Sequence, residues 1–128
     1  MITGHGVDII GLDRVRQMFD KMGEAVARHV LGKSELQTFE EVMRTDKELA
    51  LNYLAKRLAA KEAFYKALGS GMTAPYTWQD AELLNDEMGK PYFKFSGMTL
   101  VAINNRNTFV SVSDHSDMVI GSVIIENK

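Results

Sequence analysis

Cysteine is absent from the sequence, and its absence excludes disulfide bonds, thiolate metal ligands and cysteine nucleophiles. We therefore expect a reducing compartment, the cytoplasm. Long apolar runs are also missing, as are the basic region and apolar core of a signal peptide, so we expect no membrane association. Charge of one sign is not in excess either: the formal net charge is −2, which argues against a general nucleic-acid-binding protein.

The composition is that of one folded domain. Of the 128 residues, 45% are hydrophobic and 25% are charged, which is typical of a globular chain that buries its own core. No internal repeat, linker or low-complexity tract divides the sequence, so we expect a single domain over residues 1–128.

The order of the predicted elements indicates an α+β fold. In chain order, the patterns predict a strand (2–10), four helices (12–22, 24–31, 34–44 and 46–68), two strands around the turn 86–90, a short helix within 96–105 and a closing hairpin around 115–117. Ser34 is the expected N-cap of the third helix, and Gly69 the expected end of the fourth. The fourth helix is apolar nearly all round, which predicts a buried central helix.

Two carboxylates lie where apolar side chains are expected. On a helical wheel Glu62 shares a face with Leu51, Leu58 and Tyr65. Strand periodicity places Asp8 on the same face as Gly4, Gly6 and Ile10, and glycines in a strand permit close approach of backbone or ligand.

These acids have a structural and a functional interpretation. Asp8 could cap the helix that follows it, and Glu62 could pair with Lys66 at i,i+4, a contact worth roughly 0.2–0.5 kcal/mol. Alternatively, both carboxylates bind a metal ion, because buried carboxylates are costly unless they are paired or metal-bound. An oxygen-only pair without His or Cys favours Mg²⁺ holding a phosphate ester.

Cations surround Glu62 in the helical sequence. Arg57 and Lys61 are an i,i+4 pair, and Lys66 lies one turn beyond the acid. Such charges are common on solvated helix faces, but with the sequence Gly-Ser-Gly after the helix they also suit a phosphorylated ligand.

The segments that carry these residues resemble the holo-acyl-carrier-protein synthases, the short group of the 4′-phosphopantetheinyl transferases. The family motif G-[IV]-D-[IV]-x-x-x-x-R-[IV] matches from Gly6 to Val15. The core of the family helix motif, [KR]-E-A-x-x-K-A-x-G, matches from Lys61 to Gly69, with Leu58 in place of an earlier phenylalanine. The resemblance extends over essentially the whole chain, and its paired motifs are highly specific.

This resemblance implies a reaction and roles for the two acids. Asp8 and Glu62 would bind Mg²⁺ together with the pyrophosphate of coenzyme A. A serine hydroxyl of an acyl carrier protein would attack the phosphorus that carries the pantetheine arm, and 3′,5′-ADP would leave. Lys66 would reach a phosphate oxygen, and Glu62, acting through a water molecule, is the preferred base. The product would be a carrier protein activated for fatty acid biosynthesis.

The resemblance also implies contacts with coenzyme A and with the carrier protein. The implied coenzyme A contacts are Arg57, Lys61, Lys66, Gly69, Gly71, Lys90, Pro91 and Asp114. Asp114 stands where many members have histidine, and His29 where arginine is common. Arg14 would meet the acidic helix of the carrier protein, with Arg16, Lys21 and Arg28 adding positive charge.

The implied fold has helices packed on a small antiparallel sheet, and the implied assembly is a homotrimer. Its sheets would surround the three-fold axis, and its active sites would lie at subunit interfaces. Two competing hypotheses remain: an inactive coenzyme A-binding protein of the same fold, and a nucleotide-binding regulatory module. Retention of Asp8, Glu62 and Lys66 argues against the first, and the basic first helix argues against the second.

Overall fold

A computed structural model describes all residues, 1–128, and confirms the α+β order. The helices are α1 (Leu12–Met22), α2 (Ala25–Val30), α3 (Lys33–Met43), α4 (Lys47–Leu68) and α5 (Gly97–Ile103). The strands are β1 (Ile2–Gly11), β2 (Ala81–Asn85), β3 (Pro91–Phe95), β4 (Arg106–His115) and β5 (Met118–Asn127), and a 3₁₀ turn covers Trp78–Asp80. None of the helices combines the length and apolar character needed to cross a membrane.

The strands form two separate antiparallel sheets. A three-stranded sheet has the order β1-β5-β4, and β2 pairs only with β3. In the first sheet Asp8 of β1 lies opposite Gly121 of β5. The observed architecture is therefore helices packed on small antiparallel sheets, which confirms the fold that the resemblance implied, with two sheets rather than one.

Helix α4 is the central helix, as its apolar sequence predicted. Asp46 caps its start by accepting a 3.1 Å hydrogen bond from the Leu49 amide, and Gly69 ends it in the left-handed conformation, with φ of 94°. Because 13 of its 22 residues are buried, α4 contributes to both parts of the core. One part packs against α1, α2 and α3 around Phe39, and the other packs against β2, β3 and β5 around Phe64.

Glycines bring the three-stranded sheet unusually close to α4. A Cβ atom added at Gly6 would overlap the carbonyl oxygen of Ala63 and lie 2.7 Å from the amide nitrogen of Ala67. A Cβ at Gly121 would lie 2.7 Å from the carbonyl of Ala59. Backbone therefore packs directly on backbone here, which a side chain of any size would prevent.

The start of α3 differs from the prediction. Ser34 is not its N-cap, because Gly32 occupies that position and the helix begins at Lys33. The amide of Ser34 instead donates a 2.9 Å hydrogen bond to Glu82 of β2, and the amide of Gly32 donates to Glu35 at 2.9 Å. Two carboxylates, one local and one from β2, thus accept from amides at the start of α3, the kind of contact that was expected of a serine hydroxyl.

The face of the three-stranded sheet opposite α4 carries large apolar side chains that the single chain leaves exposed. Val7 and Ile9 of β1, Phe109 of β4 and Ile120 of β5 are each between 42% and 56% exposed. Contiguous exposed apolar surface of this kind is typical of an interaction surface.

We predict that Gly6→Ala strongly destabilises the protein, because the added methyl group meets the backbone of α4, which cannot move aside as a flexible side chain could. Overpacking of this kind costs about 1–3 kcal/mol or more. Gly11→Ala is the matched control, because the nearest atom to its added Cβ is the Met118 sulfur at 4.0 Å. Gly11→Ala should lower the free energy of unfolding by no more than the replacement of a helix N-cap residue does. Denaturant unfolding measures both variants, and equal losses would contradict this account of the packing.

Candidate active site

The close packing of β1 on α4 brings Asp8 beside the face of the helix that carries Lys66. Lys66 of α4 donates hydrogen bonds from Nζ to Asp8 Oδ1 at 2.7 Å and to the Val7 carbonyl at 3.2 Å. The Asp8 side chain is only 12% exposed, and its second oxygen, Oδ2, is buried without a hydrogen-bond partner. A buried, unpartnered carboxylate oxygen is uncommon in folded proteins and calls for an explanation.

Glu62 is the second carboxylate of the site. Burial, together with the neighbouring Asp8 carboxylate, raises the pKa of Glu62 from 4.5 to about 7. The charges of Arg14 and Lys66 oppose this shift. Asp8, Glu62, Lys66 and Arg14, which come from β1, α4 and α1, therefore form one cluster of charges.

Both structural interpretations of the acids are wrong. Helix α1 begins after Gly11 without a side-chain cap, so Asp8 does not cap it. The ion-pair partner of Lys66 is Asp8 rather than Glu62. The i,i+4 pair predicted on the helix is thus replaced by a contact between helix and strand, because the strand lies close enough to compete for the lysine.

The two carboxylates fit a hard divalent cation. Asp8 Oδ2 has no competing protein donor, and Glu62 has a raised pKa that a bound cation would lower. No third His, Cys, Asp or Glu joins them to complete a protein cage. Mg²⁺ is commonly held in this way, by one or two carboxylates with water and substrate phosphates completing its octahedron.

The four cations of α1 and α2 that were predicted to meet a carrier protein differ in their environments. Arg14, Lys21 and Arg28 are exposed. Arg16 is not a free cation, because it contacts Asp13 at 2.6 Å, Glu48 at 3.1 Å and Asp117 at 3.6 Å. The prediction that Arg16 adds positive charge to a basic surface is therefore wrong.

Lys61 does not lie at this surface. Its side chain is fully buried, and Nζ donates to Glu35 Oε1 at 2.6 Å, to the Val30 carbonyl at 2.6 Å and to the Trp78 carbonyl at 3.1 Å. Since an ammonium group has three donors, none remains for a phosphate. The structure thus contradicts the implied contact of Lys61 with coenzyme A.

Several other implied coenzyme A contacts gather in a second region. Arg57 stacks 3.8 Å from the Tyr53 ring centroid and donates to Asn85 Oδ1 at 3.1 Å, while its Nε is buried without a partner. Arg57 and Pro91 line a cavity of about 220 Å³ together with Lys56, Leu83, Asn85, Gly89 and Val112. Lys90 is exposed in the adjoining turn. Asp114 lies 3.6 Å from Lys56 and accepts from Asn52 at 3.3 Å.

The chain does not bring these two regions together. Arg57 and Glu62 are five residues apart on α4, so their side chains point about 140° apart around the helix axis. A ligand that contacts both would have to pass around α4 or extend between two molecules.

A groove that the sequence did not predict leads away from Glu62. Glu62, Lys66, Gly71, Met72 and Trp78 line a depression of about 260 Å³. Met72 and Trp78 also border a neighbouring depression of about 460 Å³, lined further by His29, Thr73, Ala74, Tyr76, Thr77 and Gln79. Gly69 ends the helix beside this groove but does not line it. A wider depression of about 510 Å³ lies on the outer face of α3, lined mostly by polar side chains and away from both carboxylates.

Comparison with known proteins identifies a family. The family model described as the 4′-phosphopantetheinyl transferase superfamily matches residues 4–118. The chain is 37% identical over 130 residues to a holo-[acyl-carrier-protein] synthase of Polynucleobacter asymbioticus, with both chains covered completely. It is 39% identical over 127 residues to the synthase of Halalkalibacterium halodurans, covering 98% of this chain and 97% of that one.

Solved structures agree in fold. The crystal structure of the holo-[acyl-carrier-protein] synthase from Neisseria meningitidis superposes with a TM-score of 0.88 at 35% identity, covering 99% of this chain and 100% of that one. The synthase from Bacillus anthracis, solved in complex with CoA (3′,5′-ADP), superposes with a TM-score of 0.82 at 30% identity, covering 100% and 99%.

The raised pKa of Glu62 predicts how stability depends on pH without metal. Between 4.5 and about 7 the folded chain holds a proton on Glu62 that the unfolded chain releases. Raising the pH through this window therefore removes stability. Glu62→Gln escapes this loss, so its melting temperature in chelator should exceed that of the unmodified protein by a few degrees at about pH 8 and by little at about pH 5.

Glu87→Gln, in the exposed turn between β2 and β3, is the control and should follow the unmodified protein at every pH. If Glu62→Gln also follows it at every pH, Glu62 does not carry the raised pKa described above.

Proposed function

Since the chain belongs to the 4′-phosphopantetheinyl transferase superfamily, we propose that it transfers the 4′-phosphopantetheine arm of coenzyme A to a serine of apo acyl carrier protein. The other product is 3′,5′-ADP. The observation that carries this proposal is the pair of carboxylates, Asp8 and Glu62, with a buried oxygen that no protein group satisfies. The relatives' names and the coenzyme A complex of the Bacillus anthracis protein support the same substrates.

Asp8 and Glu62 would hold Mg²⁺, which when bound neutralises charge on the reacting phosphates and orients them. Lys66 contributes a positive charge beside the same phosphates, and its contact with Asp8 keeps its ammonium group at that surface. Asp8 and Glu62 are the groups of this cluster that can accept a proton, because Lys66 and Arg14 are cationic. We assign the serine proton to Glu62, since Asp8 already accepts from Lys66.

The assembly we propose is a homotrimer with sites between subunits. Val7, Ile9, Phe109 and Ile120 on the outer sheet face would be buried around the three-fold axis. The separation of Arg57 and Pro91 from Glu62 supports the same arrangement, because a coenzyme A molecule could then meet the carboxylates of one subunit and the Arg57 cavity of its neighbour.

Arg14 is the residue we assign to carrier-protein docking. It is exposed, and it lies near enough to Glu62 for its charge to oppose the rise in that residue's pKa. A carrier protein with an acidic helix would therefore meet a positive charge at the edge of the site. Lys21 of α1 and Arg28 of α2 are also exposed, and we assign them to the same docking surface.

We further propose that the activated carrier serves fatty acid biosynthesis and that the reaction takes place in the cytoplasm. The absence of cysteine is consistent with a reducing compartment. The coenzyme A contacts of this proposal are Arg57, Lys66, Gly71, Lys90, Pro91 and Asp114. Gly69 contributes by ending α4 where the groove begins.

Incubation with coenzyme A, Mg²⁺ and an apo acyl carrier protein should add one phosphopantetheine mass to the carrier, as measured by intact mass spectrometry. Asp8→Asn and Glu62→Gln should each reduce the rate at least about 100-fold, because each removes a charge that holds the metal. Glu41→Gln, exposed on α3, is the control and should retain full activity. Coenzyme A binding without any mass gain on several carriers would instead favour an inactive binding protein.

The interface proposal predicts complementation between two defective variants. Arg57→Ala and Glu62→Gln should each be poorly active alone. Co-expression should assemble mixed trimers in which about a quarter of the sites combine an intact Glu62 with an intact Arg57 from the neighbour. Activity near a quarter of the unmodified level is expected, with a trimer mass by light scattering. A mixture no more active than its components, or an active monomer, would contradict the shared site.

Arg14→Ala should raise the apparent KM for the carrier protein about tenfold and flatten its salt dependence, because exposed charges steer association and are screened by salt. Binding of coenzyme A, measured by calorimetry, should change little. Arg44→Ala, exposed beyond the end of α3, is the control. Equal losses of carrier and coenzyme A binding in Arg14→Ala would place this arginine at the donor side of the site.

A further inference from the structure

Neighbouring residues of α4 perform two different tasks. Successive residues on a helix are rotated by about 100°, so Glu62 and Lys66 form one stripe while Lys61 and Tyr65 form the next. The first stripe carries the charges of the candidate site. The second contacts the backbone of the segment that forms the wall of the groove: Lys61 Nζ donates to the Trp78 carbonyl at 3.1 Å, and Tyr65 OH donates to the Thr77 carbonyl at 2.9 Å.

Lys61 is itself held in place from several sides. Glu35 Oε1 accepts from Lys61 at 2.6 Å and from the Gly32 amide at 2.9 Å, and Glu35 Oε2 accepts from the Leu83 amide at 2.9 Å. Both charged side chains are fully buried. The ion pair thus connects the start of α3, β2 and α4 to the wall segment through hydrogen bonds of two fully buried side chains.

Tyr65 is fixed in a similar way. Its hydroxyl also shares a 2.9 Å hydrogen bond with Thr99 Oγ of α5, a fully buried side chain. Its ring lies 5.6 Å from the Tyr76 ring and 6.1 Å, edge-on, from the Trp78 ring. The wall segment is therefore anchored at two successive carbonyls and at two aromatic contacts.

We propose that Lys61 and Tyr65 are positioning residues that hold Thr77 and Trp78 in place, so that the Trp78 indole forms the wall of the groove beside Glu62. This inference rests on the proposed function: the wall would contact the uncharged arm of the donor, which leaves the phosphates at Glu62 and runs between Met72 and Trp78. The half-apolar lining of the groove suits an arm that carries amides and methyl groups but no charge.

A purely structural role accounts less well for Lys61. A buried ion pair is often replaced by apolar residues without loss of stability, so stability alone does not require it. An apolar side chain could fill the same volume, but it could not donate to the Trp78 carbonyl. Trp78 supplies both this carbonyl and the indole of the wall. A lysine at position 61 is therefore needed if the position of Trp78 affects ligand binding.

The test compares variants that break the contact with the wall against one that does not. Tyr65→Phe removes the hydrogen bond to Thr77, and Lys61→Met combined with Glu35→Gln removes the one to Trp78 without leaving an unpaired buried charge. Thr99→Val is the matched control, because it removes the other hydrogen bond of the Tyr65 hydroxyl and leaves the Thr77 contact intact. Trp78→Ala tests the wall itself.

Two measurements are read on each variant: steady-state kinetics of carrier modification, and acrylamide quenching of the fluorescence of Trp78, the single tryptophan. Tyr65→Phe and the Lys61 double variant should raise the KM for coenzyme A about tenfold with kcat changed less than about threefold, and should increase quenching of Trp78. Trp78→Ala should raise the same KM. Thr99→Val removes one of the two hydrogen bonds that Tyr65→Phe removes, so it should lower the melting temperature but change neither KM nor quenching.

The proposal is overturned if Thr99→Val and Tyr65→Phe behave alike, or if Trp78→Ala leaves the KM for coenzyme A unchanged. If the unmodified protein binds coenzyme A but transfers nothing, the proposed function fails and the same comparison is made on the Kd for coenzyme A. If the unmodified protein does not bind coenzyme A at all, both proposals are rejected.

Discussion

The direct packing of β1 and β5 on α4 is the contact on which the rest of the structure depends. Gly6 and Gly121 leave no Cβ between sheet and helix, so the two backbones meet at Ala63 and Ala59. Only at this separation can Lys66 reach across to Asp8, and only then do the two carboxylates share a partly buried environment. A larger side chain at Gly6 would fill this space and separate the acids that the proposed chemistry requires together.

The same helix shows why charge in a sequence does not reveal its role. Lys61 and Glu62 are adjacent, but Lys61 points into the protein and pairs with Glu35, whereas Glu62 borders a groove and lies beside Asp8, a second acid that raises its pKa. The first arrangement satisfies every donor of the lysine. The second leaves an oxygen of Asp8 unsatisfied in the folded chain, which is the state expected of a site that gains its partner from solution.

Much of the fold could be predicted from the sequence because its signals are local. Asp46 and Gly69 mark the ends of α4, and alternation in β1 places Gly6, Asp8 and Ile10 on its inner face. What the sequence could not predict depends on residues distant along the chain. Lys61 was expected at the surface because its partner, Glu35, is 26 positions away and carries no sign of burial.

Other differences have the same origin. Ser34 was the expected N-cap of α3, but its amide instead donates to Glu82, which comes from β2. Trp78 and Met72 gave no signal of a groove, because a loop after a helix shows no periodicity from which a wall can be inferred. The motif around Asp8 and Glu62 identified the acids, but it could not show that Lys66 pairs with the strand rather than with its own helix.

The central claim, that Asp8 and Glu62 together bind a divalent cation, is tested most directly by electron paramagnetic resonance of Mn²⁺ in the presence of coenzyme A. Mn²⁺ prefers the same oxygen ligands as Mg²⁺. The account predicts about one bound Mn²⁺ per chain in the unmodified protein, and binding weakened at least about 100-fold in Asp8→Asn and in Glu62→Gln. Unchanged Mn²⁺ binding when both substitutions are combined would contradict it.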